Sequence, residues 1–273
     1  MKRSIIKIIW LEQGKTTVIM AGVHGNERAG ILAFERLLPT IQISSWIVYF
    51  ILANIEAIQK NTRFIEKNLN RCFKKRISWK SYEEKRAREI RGILDKADYL
   101  LDIHNTFNEK TEAFLIGEKQ ALSKYFPVKK MLSWLDSLHK WGSDGYMNER
   151  WKTWLCIECG SIDDIQGQER AEKSIINFLK ITKNIEEEPQ ILGKNQSYII
   201  CEKMYTSKTD NFILSKKFKD FEEIKRWEAI WYDGVEKIVA QKNWIILFAQ
   251  NGNKIWTECF ILCAQVWSYQ SKF

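Results

Sequence analysis

Short apolar runs rich in β-branched or aromatic residues recur at 4–11, 17–21, 46–53, 99–103, 113–116 and 153–158, and they read as strands buried on both faces. Between them, helical spacing of apolar positions predicts helices over 29–38, 82–95, 120–139 and 168–181. Strands that alternate with helices in this way build an α/β sheet covered on both sides, mostly parallel or mixed. After Glu186-Glu187-Glu188-Pro189 the texture changes. Short alternating segments at 197–202, 212–214, 237–240, 244–249 and 256–264 predict a small β-rich module. The pattern therefore divides the chain near 188, into a main domain over 1–188 and a module over 189–273.

Composition narrows this picture only a little. A chain of 273 residues with 45% hydrophobic content can bury a sizeable core. It holds no run of eighteen apolar residues, so no membrane span is expected. The opening MKRSIIKIIWL mimics an export signal, but Lys7 interrupts it and no small-residue cleavage site follows, so a first strand and a cytoplasmic protein are expected. Six scattered cysteines then read as reduced thiols. The net charge of +9 favours an acidic partner: an anionic small molecule, a nucleic acid or a membrane surface. The basic residues of 60–91, with Lys74-Lys75-Arg76, Trp79 and Tyr82, have the composition of a single-strand binder. Glu83, Glu84 and Glu89 interleave with them, and no recognition-helix, zinc-finger or RRM signature accompanies them, so a solvated face is favoured over a nucleic-acid partner. Five of the twelve tryptophans, Trp227, Trp231, Trp244, Trp256 and Trp267, crowd into the last module, where core packing is the default and an exposed group would mark a dimer surface or an acyl pocket.

Chemistry concentrates at two strand ends. In GVHGNERAG, His24 and Glu27 follow the 17–21 strand and open the next helix, the place where open α/β sheets bind ligands. In LDIHN, His104 stands where the 99–103 strand should stop. Two histidines and one glutamate are a ligand set of hydrolytic zinc, which leaves a position for water; His24, Glu27 and His104 supply that set for one Zn2+ per chain. The third histidine, His139, lies in a tryptophan-flanked helical stretch and reads as structural or solvated. Cys156 and Cys159 have redox spacing but sit inside a strand, and at least one is expected to face the core, with Cys159 in the cleft as the alternative.

Between the two corners lies a polar loop that carries N-T-R-F (61–64) and N-L-N-R-x-F (68–73). With H-G-N-E, D-I-H-N and the later I-E-C-G (157–160), these motifs stand in an order that resembles the succinylglutamate desuccinylase/aspartoacylase family of carboxypeptidase-like zinc enzymes, over roughly 15–160. The resemblance implies a three-layer α/β/α core with a mixed central sheet, and a C-terminal module that caps the cleft, for which Tyr205 and Tyr232 are available. It implies that His24, Glu27 and His104 bind zinc and that Glu158 is the general base or proton shuttle. Arg63 would polarise the scissile carbonyl, Asn70 and Arg71 would hold a substrate carboxylate, and a fainter match adds Tyr146 and Arg150 to substrate binding. The implied substrate is a small anionic N-acyl amino acid; homo-oligomerisation stays open.

Elementary chemistry asks for the same residue types. Amide hydrolysis at neutral pH needs an activated water, which zinc supplies, a carboxylate to carry the proton to the leaving amine, and a fixed cation for the charge that develops on oxygen. A planar guanidinium grips a carboxylate in two places, which favours arginine over lysine at position 71. Two departures from the family pattern stand out. Asn68 replaces an aspartate that looks like a partner of the first zinc histidine, and so should orient His24 without raising its basicity as much. Asn54-Ile55 replaces an asparagine-proline turn. Asp102, on the strand face of His104, is a second supporting group. Two other readings remain: a carboxypeptidase-type metallopeptidase, and a metal-silent binding protein for nucleic acid or protein.

Overall fold

The computed structural model describes residues 4–10, 14–74, 80–138, 141–252 and 254–266. They divide into two compact units, the first made of the residues up to Met131 and the stretch ending at Gln196, the second of Leu132–Leu138 and the residues from Ser197 onward. The 186–189 run, expected to separate the domains, is tied to the first unit. Asn177 and Gln190 exchange hydrogen bonds, and Leu192 N–H donates to Lys124 O.

In the first unit, β1 (Ile5–Ile9), β2 (Thr16–Ala21), β3 (Ile47–Leu52), β4 (Tyr99–Thr106) and β5 (Phe114–Ile116) precede a short strand β6 (Lys130–Ser133) and the long β7 (Thr153–Ser161). Strand order is β1-β3-β2-β4-β7-β5. The four inner strands β3, β2, β4 and β7 run parallel, while β1 and β5 flank them antiparallel, so the sheet is mixed. Every residue of β2 is buried, as its unbroken apolar and β-branched run requires of a central parallel strand. β1 departs from the expectation: as an edge strand it is only half covered, and Lys7 and Ile9 are exposed.

Helices α1 (Ala29–Leu37), α2 (Ile55–Lys60) and α3 (Tyr82–Leu94) alternate with these strands, and α5 (Ser143–Asn148) and α6 (Gly167–Ile181) bracket β7; α4 (Leu135–Leu138) belongs to the second unit. Side-chain alternation along β4 fixes their layers. Asp102 accepts from Ser143 at the start of α5, while Asn105, of opposite parity, accepts from Ala29 N–H at the start of α1. Helices thus cover both faces. The core between sheet and α1 contains Phe34 and Phe50, both fully buried and meeting edge to face at 5.4 Å. Each such ring contributes about 1.5–3 kcal/mol relative to exposure. Helix α3 starts on a capping box, Ser81 with Glu84.

The helix expected over 120–139 does not form. A 3₁₀ turn at Gln120–Tyr125 ends on extended Phe126, followed by β6 and then α4. Pro127 accounts for the break, because proline lacks an N–H and forces the residue before it out of helical geometry.

The second unit holds an antiparallel run β8 (Ser197–Thr206), β14 (Glu258–Val266), β13 (Trp244–Leu247) and β10 (Glu222–Ile224). A separate three-stranded sheet pairs β11 (Ala229–Asp233) with β9 (Phe212–Leu214) and β12 (Glu236–Val239). β10 and β11 are additional to the expected strands. Tyr205, Phe212, Trp231 and Phe260 form the aromatic centre, with Tyr205 stacked on Phe260 at 5.3 Å. Of the tryptophans expected to pack, Trp231 does, whereas Trp227 and Trp256 are exposed; Trp267 lies outside the described residues. The Tyr205 hydroxyl donates to buried Asp233, and Tyr232 lies on the surface. No helix among the described residues is long and apolar enough to cross a membrane.

Candidate metal centre

Parallel register places Ala21, the last residue of β2, beside Ile103 of β4, so the loop that leaves β2 runs next to His104. Two glycines shape that loop. Gly22 turns it with φ +66°, and at Gly25 a Cβ would lie 2.0 Å from the carbonyl carbon of Ala57, a clash that only glycine avoids. The tight turn lets Glu27 N–H donate to His24 O at 3.2 Å and brings both side chains to one side. His104 lies within β4, not at its end as expected: the strand continues to Thr106 through a register shift.

His24, Glu27 and His104 are all buried, and their ligand atoms lie within 4.8 Å of one another. Nδ1 of His24 is 2.6 Å from Glu27 Oε1, and Nδ1 of His104 is 2.9 Å from Glu27 Oε2. On the opposite side, His24 Nε2 hydrogen-bonds Asn68 Oδ1 at 3.0 Å, while His104 Nε2 lies 3.2 Å from Asp102 Oδ2 in an ion-pair contact without hydrogen-bond geometry. A tautomer with its proton on Nε2 leaves the Nδ1 lone pair of each ring on the side of Glu27, the arrangement a metal ion needs. Two imidazole nitrogens and a carboxylate that converge, each imidazole oriented from behind, fit a divalent cation of the zinc type.

Electrostatics differ between the rings. Burial lowers the pKa of His24, outweighing the opposite pull of Glu27, and Arg63 and His104 add to the depression. Burial also opposes protonation of His104, but the carboxylates of Asp102 and Glu27 outweigh it and raise its pKa well above the ordinary value. Glu27 is held low despite burial, because His24 and His104 flank it.

Around this core the structure gathers most of the expected residues. Glu158 is the register partner of His104 in β7 and is buried. Cys156 shares its face, opposite Asp102, and Cys159 has the other parity and is fully buried, so the cysteine on the site's face is Cys156 and not Cys159. Burial first, then Asp102 and Glu158, push the Cys156 thiol well above its usual pKa, which keeps it protonated. Arg63 Nη1 donates to Glu27 Oε1 at 3.2 Å. Its loop is pinned by Glu83, whose fully buried carboxylate accepts from Ile65 N–H at 2.7 Å and Lys67 N–H at 3.1 Å. Asn70 N–H donates to Asn68 Oδ1, and Arg71 Nη1 donates to Asn70 O.

Tyr146 and Arg150 are not brought to the histidines. The Tyr146 hydroxyl donates to Asp95 Oδ1 at 2.5 Å, Arg150 Nε meets the same oxygen at 3.1 Å, and the guanidinium lies 3.5 Å over the tyrosine ring. Asp95 caps the end of α3 and precedes β4, toward that strand's amino end, whereas His104 lies toward its carboxyl end. His139 lies outside the described residues, as do Lys75, Arg76 and Trp79 of the basic stretch. In the described part of that stretch Lys67 pairs with Glu84, and buried Arg86 pairs with Glu89 and donates to the carbonyls of Leu52 and Ala53.

Three residues outside the expected set support the site: Glu83, Asn105 and Ser143. Asn105 carried a signal inside D-I-H-N; its N–H donates to Glu27 Oε2 at 3.2 Å, and its side chain binds Ala29, Gly160 and Ser161. Ser143 donates to Asp102 Oδ2 at 2.5 Å.

Residues 13–140 match the sequence model of the succinylglutamate desuccinylase/aspartoacylase catalytic domain. A probable aspartoacylase of Nostoc sp. is 33% identical over 113 residues, 37% of this chain and 38% of that protein. A succinylglutamate desuccinylase of Pseudoalteromonas atlantica is 32% identical over 134 residues, 40% of this chain and 38% of that protein. The matched stretches thus span under two fifths of the length of these relatives. In fold, the chain is similar to the crystal structure of succinylglutamate desuccinylase from Vibrio cholerae, with TM-score 0.81 and 17% identity over 98% of this chain and 88% of that one.

Proposed function

We propose, from the match of residues 13–140 to the succinylglutamate desuccinylase/aspartoacylase catalytic domain, that the chain removes the acyl group of an N-acyl amino acid by hydrolysis at one zinc ion. His24, Glu27 and His104 hold the ion, and the convergence of these three buried donors carries the reading. When bound, zinc supplies Lewis-acid activation of the attacking water and of the amide carbonyl.

The other roles fall to the chain's own side chains. Glu158, beside His104 on the same sheet face, takes the proton of the attacking water and delivers it to the leaving nitrogen. The water oxygen joins the acyl carbon, the C–N bond breaks, and a carboxylate and a free amine result. Arg63 keeps its guanidinium at Glu27 and offers donors to the carbonyl oxygen as negative charge develops there. Asn70 and Arg71 bind the carboxylate of the amino acid, with the guanidinium held by its bond to the Asn70 carbonyl. The contacts of half-buried Asn68 and buried Asp102 fix the two rings. Tyr146 and Arg150, engaged at Asp95, stabilise α3 against α5.

The test is zinc analysis of the purified chain together with turnover of N-acetyl, N-succinyl and longer-acyl amino acids against short peptides. One zinc per chain with deacylation is expected. Peptide turnover without deacylation would replace this reading with a carboxypeptidase-type one. A zinc-free chain with salt-sensitive nucleic-acid binding would replace it with a binding protein.

A further inference from the structure

A closed ring of close polar contacts, hydrogen bonds except at the ion-pair contact between His104 and Asp102, joins the metal-binding side chains to the loop that holds the substrate carboxylate. It runs from His24 Nε2 to Asn68 Oδ1 (3.0 Å), which also accepts from Asn70 N–H (2.9 Å). Asn70 Oδ1 accepts from Ser143 N–H (3.2 Å), and the Ser143 hydroxyl donates to Asp102 Oδ2 (2.5 Å). Asp102 Oδ2 meets His104 Nε2 (3.2 Å), and Glu27 closes the circuit between the two Nδ1 atoms.

Ser143 is the hinge of that ring. It is 1% exposed and spends its two donors in different directions, the backbone N–H on the substrate loop and the hydroxyl on the carboxylate behind His104. The bond to Asp102 has the short length of a charge-assisted O–H···O contact. The neighbouring backbone is pressed into place as well: a Cβ on Gly142 would come within 3.0 Å of Asn70 Oδ1 and 2.2 Å of Asp144 Oδ1. Asp102 without the Ser143 hydroxyl would be free to swing its carboxylate, and Asn70 without the Ser143 N–H would lose the contact that fixes its amide.

We propose that Ser143 is a positioning residue that couples zinc affinity to substrate-carboxylate binding, by locking Asp102 behind His104 and Asn70 beside Arg71. The proposal rests on the zinc-deacylase reading given above. It touches neither ion nor substrate directly, so its effect travels through Asp102 and Asn70.

The experiment uses the full chain, stripped of metal and titrated with zinc against a chelating indicator, followed by kinetics on an N-acyl amino acid and on its amidated analogue. Ser143→Ala is expected to weaken zinc binding about tenfold, at the low end of the effect of supporting hydrogen bonds on metal ligands. It keeps the backbone N–H on Asn70, so KM for the free carboxylate should stay in place, whereas Ser143→Pro, which removes that N–H at the first position of α5, should raise it several-fold and leave KM for the amide unchanged. Ser143→Thr, which keeps the hydroxyl, should recover zinc affinity. If the alanine variant does not fold, Ser143→Cys carries the same comparison, since a thiol keeps the bulk but donates weakly. Unchanged zinc affinity in a folded alanine or cysteine variant overturns the proposal, even with a lowered melting temperature, because that result describes a merely structural serine. A wild-type chain that binds no zinc would instead fail the underlying reading before any variant is made.

Discussion

His24, in the loop that leaves β2, and His104, within the neighbouring parallel strand β4, are supported in opposite ways. Both are buried, and both present Nδ1 to the carboxylate of Glu27. Behind His24 stands a neutral amide, Asn68, and its pKa is lowered; behind His104 stands a carboxylate, Asp102, and its pKa is raised. Geometry is thus shared while basicity is not. An amide orients an imidazole, whereas a carboxylate also pushes electron density onto it, so the two rings would not be equally strong ligands of a shared ion.

The sharpest way to separate holding the ion from doing chemistry lies at Glu158, beside His104. Glu158→Gln keeps the shape beside His104 and removes the proton acceptor. Turnover should fall about 10²–10⁴-fold, the usual range for a positioned acid or base, while zinc content by atomic absorption stays at one per chain. Loss of zinc along with activity would make Glu158 part of the metal's support and not of the proton path.

The asymmetry itself can be exchanged. Asp102→Asn makes both supports neutral and should weaken zinc about 10–100-fold. Asn68→Asp makes both supports anionic and should tighten zinc by about tenfold or less, because the amide already orients the ring. Chelator competition on the two variants in parallel reads both changes. Equal shifts in the same direction would mean that orientation and not charge is the operative quantity, and the contrast between the two corners would carry no chemical weight.

How much of this could be read in the sequence follows from how local each feature is. His24 and Glu27 lie three residues apart between glycines, and His104 follows an apolar run, so turn chemistry and strand ends reveal them. Their convergence depends on one long-range fact, that β2 and β4 are parallel neighbours, which the alternation of strands and helices already suggested. Ser143 gave no signal. A lone serine after a glycine has no periodicity, and its role is set by Asp102, forty-one residues away. The same logic explains the missing 120–139 helix, where apolar spacing outweighed Pro127 in the reading but not in the fold. Tyr146 and Arg150 matched a motif by type and order, but burial and the Asp95 carboxylate decided where they point.

That last pair yields the smallest expected effect and the cleanest check on motif transfer. Tyr146→Phe removes one hydroxyl that donates to Asp95 and leaves the ring under Arg150 intact. Loss of a single hydrogen bond of this kind costs about 0.5–1.5 kcal/mol, which lowers the melting temperature by roughly 2–4 °C per kcal/mol in a protein of this size. KM and zinc affinity should stay within about twofold of wild type (about 0.4 kcal/mol), since the hydroxyl's partner is Asp95 and not a residue of the metal centre. A tenfold rise in KM with an unchanged melting temperature would move Tyr146 back into the substrate site, and with it the Arg150 that covers its ring.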